Sequence, residues 1–188
     1  MILVLTTFRS GSTWYCNDLA EKYGYINYDE PFNVNHKGSH TEHLRSIISN
    51  PNSIVKFMPQ QDRTADMPGL LDKLVSLATE IHVLVRKDFN AQVRSHYAAR
   101  YLGGMYKIGW TTEYSEPKDV HYNELLYQTL EREIFAHIVE LSRIYHKLGS
   151  AKLVFTEDFT TQHKYNRPIT WSEEPKIRKR EVAHLFEE

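Results

Sequence analysis

The sequence predicts an α/β fold: a P-loop-like three-layer sandwich, with a five-stranded parallel sheet carrying helices on both faces. Three observations predict it. Five short runs, 2–5, 25–28, 53–57, 81–85 and 152–155, are rich in apolar and β-branched residues. Longer segments of helical spacing separate them, and alternation of this kind gives a parallel sheet covered on both faces. The first run passes through a short polar turn into a helix, and ligands in such sheets bind at the carboxyl ends of strands.

Ile2-Leu3-Val4-Leu5 is unbroken and apolar, as suits a strand buried on both faces. Ser12 or Thr13 opens the first helix, which runs to about Tyr23. The second strand, 25–28, leads to Asp29-Glu30-Pro31-Phe32. Segment 40–50 has Leu44, Ile47 and Ile48 at helical spacing, and Asn50-Pro51-Asn52 stops it. After the third strand, Leu70, Leu71, Leu74 and Leu77 mark the inner side of a helix over 67–78. Residues 81–85 carry the strongest strand signal, and 90–101 follow as a helix. Gly103, Gly104, Gly109 and Pro117 lie among aromatics, so 103–120 reads as a long irregular insert. The longest helix spans 122–148, with Leu126, Leu130, Ile134, Ile138, Leu141 and Tyr145 on one face and Gly149 as its stop. Residues 160–171 read as loop and 173–187 as a charged terminal helix.

With 188 residues the chain can bury a real core, and one domain over 1–188 is expected. The formal net charge of −1 implies no general attraction to nucleic acid or anionic membranes. No apolar run approaches the roughly 18–20 residues that span a bilayer. The single cysteine, Cys16, excludes an intrachain disulfide and a cysteine-based zinc site. The chain starts on a strand without a signal-peptide pattern, so a cytoplasmic setting is expected. His36, His40 and His43 cluster, but their spacing fits no helical metal motif.

The turn after the first strand is where chemistry is expected. A helix start has unpaired N–H groups and positive partial charge, which makes an anion site. Arg9 adds forked donors that match a tetrahedral oxyanion. A Walker A loop would need Gly at position 6 and Lys at position 12, where this chain has Thr6 and Ser12. Arg9-Ser10-Gly11-Ser12-Thr13-Trp14 instead resembles the 5′-phosphosulfate loop of sulfotransferases that use 3′-phosphoadenosine 5′-phosphosulfate (PAPS).

Four further points resemble that family in matching order. Arg86, at the end of the fourth strand, and Ser95, in the next helix, resemble the pair that binds the 3′-phosphate. Their spacing is most similar to bacterial trehalose-type and carbohydrate sulfotransferases; the cytosolic animal enzymes place the serine where this chain has Arg94. Glu30-Pro31 resembles a segment whose carboxylate serves as general base, which implies Glu30, with Asp29 in reserve. In the trehalose type the proposed base falls where this chain has Asn33. Lys56 resembles the third-strand lysine near the transferring sulfate, and Met58 stands where the cytosolic enzymes have a histidine base. Residues 155–159 resemble a late segment read as structural.

The resemblance implies PAPS as cofactor, 3′-phosphoadenosine 5′-phosphate (PAP) as product, no metal, and a small-molecule or carbohydrate hydroxyl acceptor. It implies Arg9, Glu30 and Lys56 as catalytic residues. It implies Arg9, Ser10, Gly11, Ser12, Thr13, Trp14, Arg86 and Ser95 as nucleotide-binding residues, with Trp14 over the adenine or packed in the core. Tyr106, Trp110 and Tyr114 of the insert are candidates for the acceptor site. The basic run 176–180 faces either nucleotide or solvent. Two other readings stay open: a nucleotide kinase-like phosphoryl transferase needing ATP and Mg²⁺, and a non-catalytic nucleotide-binding module.

Overall fold

Five strands form one parallel sheet around the first. In the computed structural model, β1 (Ile2–Leu5) lies between β3 (Ser53–Phe57) and β4 (Glu80–Val85). β2 (Ile26–Asn27) and β6 (Lys152–Phe155) are the edges, giving the order β2-β3-β1-β4-β6. The structure describes residues 1–33, 38–64, 67–106, 118–159, 169–173, 175 and 180–187.

The period of two along a strand makes both sheet faces apolar. Ile2, Val4, Ile54 and Leu84 face α1 (Ser12–Tyr23), through its Tyr15, Cys16 and Leu19. Leu3, Leu5, Val55, Phe57, Val83 and Val85 face the other way. There they meet α2 (His40–Ile48), α4 (Leu70–Leu77), α5 (Phe89–Tyr106) and α6 (Glu124–Leu148). A short α3 (Gln60–Thr64) follows β3. The expected α/β class and five-stranded parallel sheet are therefore present. No helix among the described residues is long and apolar enough to cross a membrane.

The element ends follow from local chemistry. Ser39 and Glu42 form a capping box at the start of α2. The Asn123 side chain accepts from the Leu126 N–H at 2.9 Å and starts α6. Gly149 ends α6 at φ 64°, in the left-handed region that glycine adopts without strain. Tyr15 fastens α1 to the sheet: its hydroxyl lies 2.7 Å from His82 Nδ1, and His82 Nε2 lies 3.1 Å from Glu80.

Three expectations need correction. Helix α5 continues through Gly103 and Gly104 to Tyr106, residues expected in the irregular insert, and residues 107–117 lie outside the described residues. Residues 118–120 and 169–171, read as insert and loop, pair as parallel strands β5 (Lys118–Val120) and β7 (Ile169–Trp171). An aromatic cluster gathers this region: Tyr97 touches Tyr101, Tyr122, Tyr127 and Trp171. The Tyr97 hydroxyl donates to the His121 carbonyl at 2.7 Å and accepts from the Asn123 N–H at 2.8 Å. The terminal helix is absent from the described residues of 173–187, apart from one 3₁₀ turn, Ala183–Phe186. Docking on α6 outweighs helix propensity there: Arg180 pairs with Glu131 and lies over Phe135, while Val182 and Phe186 are buried.

Candidate functional site

The loop after β1 leaves the sheet at its carboxyl end and is held from three sides. The Thr156 hydroxyl donates to the Ser10 carbonyl, and lies 3.2 Å from the Val85 carbonyl. The Gln92 side-chain amide donates to Thr7 Oγ1 at 2.8 Å and to the Phe8 carbonyl. Thr6 and Ser10 join through their hydroxyls. These contacts hold Arg9 at φ 58° and Gly11 at φ 81°. Glycine tolerates that region; arginine there is strained and persists because its surroundings fix it. α1 begins directly after Gly11, at Ser12. Its N-cap is Gly11, which makes no side-chain cap, and its first turn holds no acidic residue. Its positive end is therefore open to an anion.

Lys56 sits beside this loop, 2 % exposed, with three oxygens around its ammonium. Thr13 Oγ1 lies at 3.0 Å, Asp29 Oδ1 at 2.5 Å and Glu30 Oε1 at 2.8 Å. The Thr13 contact is a hydrogen bond, and the two carboxylates lie within ion-pair distance. Burial opposes the lysine charge, but Glu30 and Asp29 outweigh it and raise the pKa. The main chain places the two carboxylates: Tyr28 N–H donates to the Ile54 carbonyl at 3.0 Å, and Lys56 N–H to the Asp29 carbonyl at 2.8 Å. The β2–β3 ladder thus continues past the two residues of β2, and Asp29 then turns at φ 52°. Glu30 is the more enclosed carboxylate, at 20 % side-chain exposure against 47 % for Asp29. Asn33 donates to Glu30 Oε2 at 2.9 Å. The residue at the other expected base position therefore holds Glu30 in place.

Arg86 and Ser95 come to the opposite side of the loop. Arg9 Nε donates to Ser95 Oγ at 3.0 Å, which joins the loop to α5. Burial lowers the Arg86 pKa, with Asp88 and Glu157 opposing. Among the described residues no carboxylate is within ion-pair distance of Arg86. Glu157 is engaged elsewhere: its two oxygens accept from the Lys87 and Asp88 N–H groups, each at 3.0 Å. That contact and the Thr156 bonds make 155–159 structural in this chain. Arg94 points to the aromatic cluster, 5.1 Å from the Trp171 ring, whereas Ser95 meets Arg9.

The structure thus gathers Arg9, Ser10, Gly11, Ser12, Thr13, Glu30 and Lys56 around one loop, and ties Ser95 to it. Trp14 is half-buried in the first turn of α1. The Tyr106 side chain, Trp110, Tyr114, His36 and residues 176–179 lie outside the described residues. His40 and His43 pack edge-on against Phe32. Among the described residues, no three His, Cys, Asp or Glu side chains gather as a metal site.

Sequence reasoning missed Gln92, Thr156 and His96. His96 is 1 % exposed and stacks on Phe8, 5.1 Å between centroids. Burial, then Arg100, Arg9 and His137, push its pKa down to about 4. Gln92, Ser95 and His96 lie three and four residues apart, one helical face, and that spacing was a usable signal. Thr156 carried none, because its partners are main-chain carbonyls far away in sequence. Comparison with known proteins matches the chain to no family model, no curated protein and no solved structure.

Proposed function

We propose that this chain is a PAPS-dependent sulfotransferase that moves a sulfuryl group to a hydroxyl acceptor, a carbohydrate among the candidates. One observation carries the reading. Two cationic anion sites flank one glycine-containing loop: the open start of α1, and Arg86, without an ion-pair partner among the described residues. A nucleotide with phosphates at both its 5′ and 3′ positions matches two such sites.

The acceptor oxygen attacks sulfur in line. The bond from sulfur to the bridging oxygen breaks, and PAP leaves with that oxygen and its charge. Arg9 and the amides of Ser10 to Thr13 meet the growing charge as fixed donors. Glu30 takes the hydroxyl proton, assisted by the position Asn33 gives it. Lys56 keeps Thr13, Asp29 and Glu30 in register, and reaches the sulfate by exchanging one of its three partners. Arg86 and Ser95 hold the 3′-phosphate, and Trp14 covers the adenine. A cytoplasmic setting belongs to the same proposal.

Thermal unfolding with ligand tests it. PAP at about 100 times its Kd adds about 2.7 kcal/mol, or about 5–11 °C in Tm for a chain of this size. The reading requires that shift in EDTA. A larger shift from ATP with Mg²⁺ than from PAP would favour a phosphoryl transferase instead.

A further inference from the structure

We infer that Lys56 is a built-in substitute for a divalent cation: its ammonium fills an oxygen-lined position that would otherwise hold Mg²⁺ or Mn²⁺. Three oxygens from two parts of the chain converge on this one nitrogen. Thr13 Oγ1 comes from the first turn of α1, directly after the loop, and Asp29 Oδ1 and Glu30 Oε1 come from the end of β2. A hydroxyl and two carboxylates are the hard donors that Mg²⁺ and Mn²⁺ take. What occupies their focus is a cation, 2 % exposed and within 3.0 Å of all three oxygens.

The geometry needs little change to accept an ion. The oxygens stand 2.5–3.0 Å from the nitrogen. Bonds to Mg²⁺ are about 2.0–2.1 Å, so a contraction of under about 1 Å per ligand suffices. Water would complete the coordination, as it does for Mg²⁺ in most protein sites.

The choice of cation has a chemical consequence. One ammonium against two carboxylates leaves a formal charge of −1, whereas a divalent ion would bring it to zero. The lysine therefore fixes both carboxylates in place with a single charge, whereas a divalent ion would bind the same oxygens more strongly. The inference rests on the anion-binding role proposed for the loop, but its test reads the cation site alone.

The test is Mn²⁺ binding by electron paramagnetic resonance, with Mn²⁺ alone as probe. Lys56→Ala should bind one Mn²⁺ at least about tenfold more tightly than the wild type, and Mn²⁺ should raise the Tm of the variant but not of the wild type. Adding Asp29→Asn should remove both effects. If Lys56→Ala folds only with Mn²⁺ present, the inference stands. Lys56→Asn, whose amide can donate to one carboxylate and offer its oxygen to the ion, is the second variant and should behave alike. Equal Mn²⁺ binding by wild type and variants overturns the inference. So does the absence of binding in both variants, or both staying unfolded with Mn²⁺. PAP affinity in EDTA, measured on the wild type, tests the proposed function separately.

Discussion

Arg86 should be expendable for folding and costly for binding. It stands at the carboxyl end of β4 with its charge disfavoured by burial and no carboxylate within ion-pair distance among the described residues. Arg86→Met keeps a long apolar stem and removes the charge, so packing is nearly conserved. In the ligand-free chain a partly desolvated, unpaired cation is lost, and stability should be unchanged or rise by up to about 1 kcal/mol. With PAP bound, the same change removes a charged hydrogen bond to phosphate, a loss of about 1.5–3 kcal/mol, or about 10- to 150-fold in Kd. Calorimetric titration with PAP and urea unfolding without it give the two numbers. Ser95→Ala should weaken PAP less than Arg86→Met, and Arg94→Ala less still, because Arg94 lies over Trp171. Destabilisation of the free chain by more than about 1 kcal/mol, with PAP affinity unchanged, would refute the reasoning and make Arg86 a structural residue.

Lys56→Met should destabilise the chain by about 2–4 kcal/mol in urea unfolding, slightly below the usual 3–5 for a broken buried pair, because Asp29 is 47 % exposed and can hydrate. A loss under about 1 kcal/mol would mean that the ammonium does not hold Thr13, Asp29 and Glu30 together. Glu30→Gln should leave PAP affinity nearly intact and lower turnover by about 10²–10⁴-fold with any acceptor that supports transfer; a larger loss from Asp29→Asn would move the base to that residue. The folded-state pKa of His96 lies below the unfolded value, so protons favour the unfolded chain. Its effect is absent above about pH 6.5 and grows as pH falls towards 4, to at most about 3 kcal/mol. Urea unfolding at pH 7 and pH 4.5 should reveal it, and an equal pH slope in His96→Gln would contradict the assignment.

The sheet was legible because its strands depend on local composition. β1 and β4 are apolar on both faces, and helices cover both, so continuous runs marked them. Helix α6 was legible from its apolar stripe and from Gly149 at its end. Elements that depend on distant partners were not. β5 and β7 are three residues each and exist by pairing with one another across about fifty positions. The charged segment after 173 reads as helix by propensity, yet Glu131 and Phe135 on α6 claim Arg180. At the site, residue types pointed to the loop, and the family resemblance pointed to Glu30 and Lys56. The threefold coordination of Lys56 was out of reach, since it depends on where β2, β3 and α1 place three side chains in space. Two contacts bear on the sequence's alternatives: Asn33 donates to Glu30, and Ser95 accepts from Arg9 of the loop.

The central claim is that two anion sites flank the loop and read one nucleotide with two phosphates. Titration of the wild-type chain in EDTA with PAP and with 5′-AMP, which differ only in the 3′-phosphate, tests it most directly. The account predicts that PAP binds about 10- to 150-fold more tightly than 5′-AMP, from about 1.5–3 kcal/mol of charged hydrogen bonding, and that Arg86→Met abolishes most of the difference. Equal affinity for the two nucleotides, or tighter binding of ATP once Mg²⁺ is added, would contradict it.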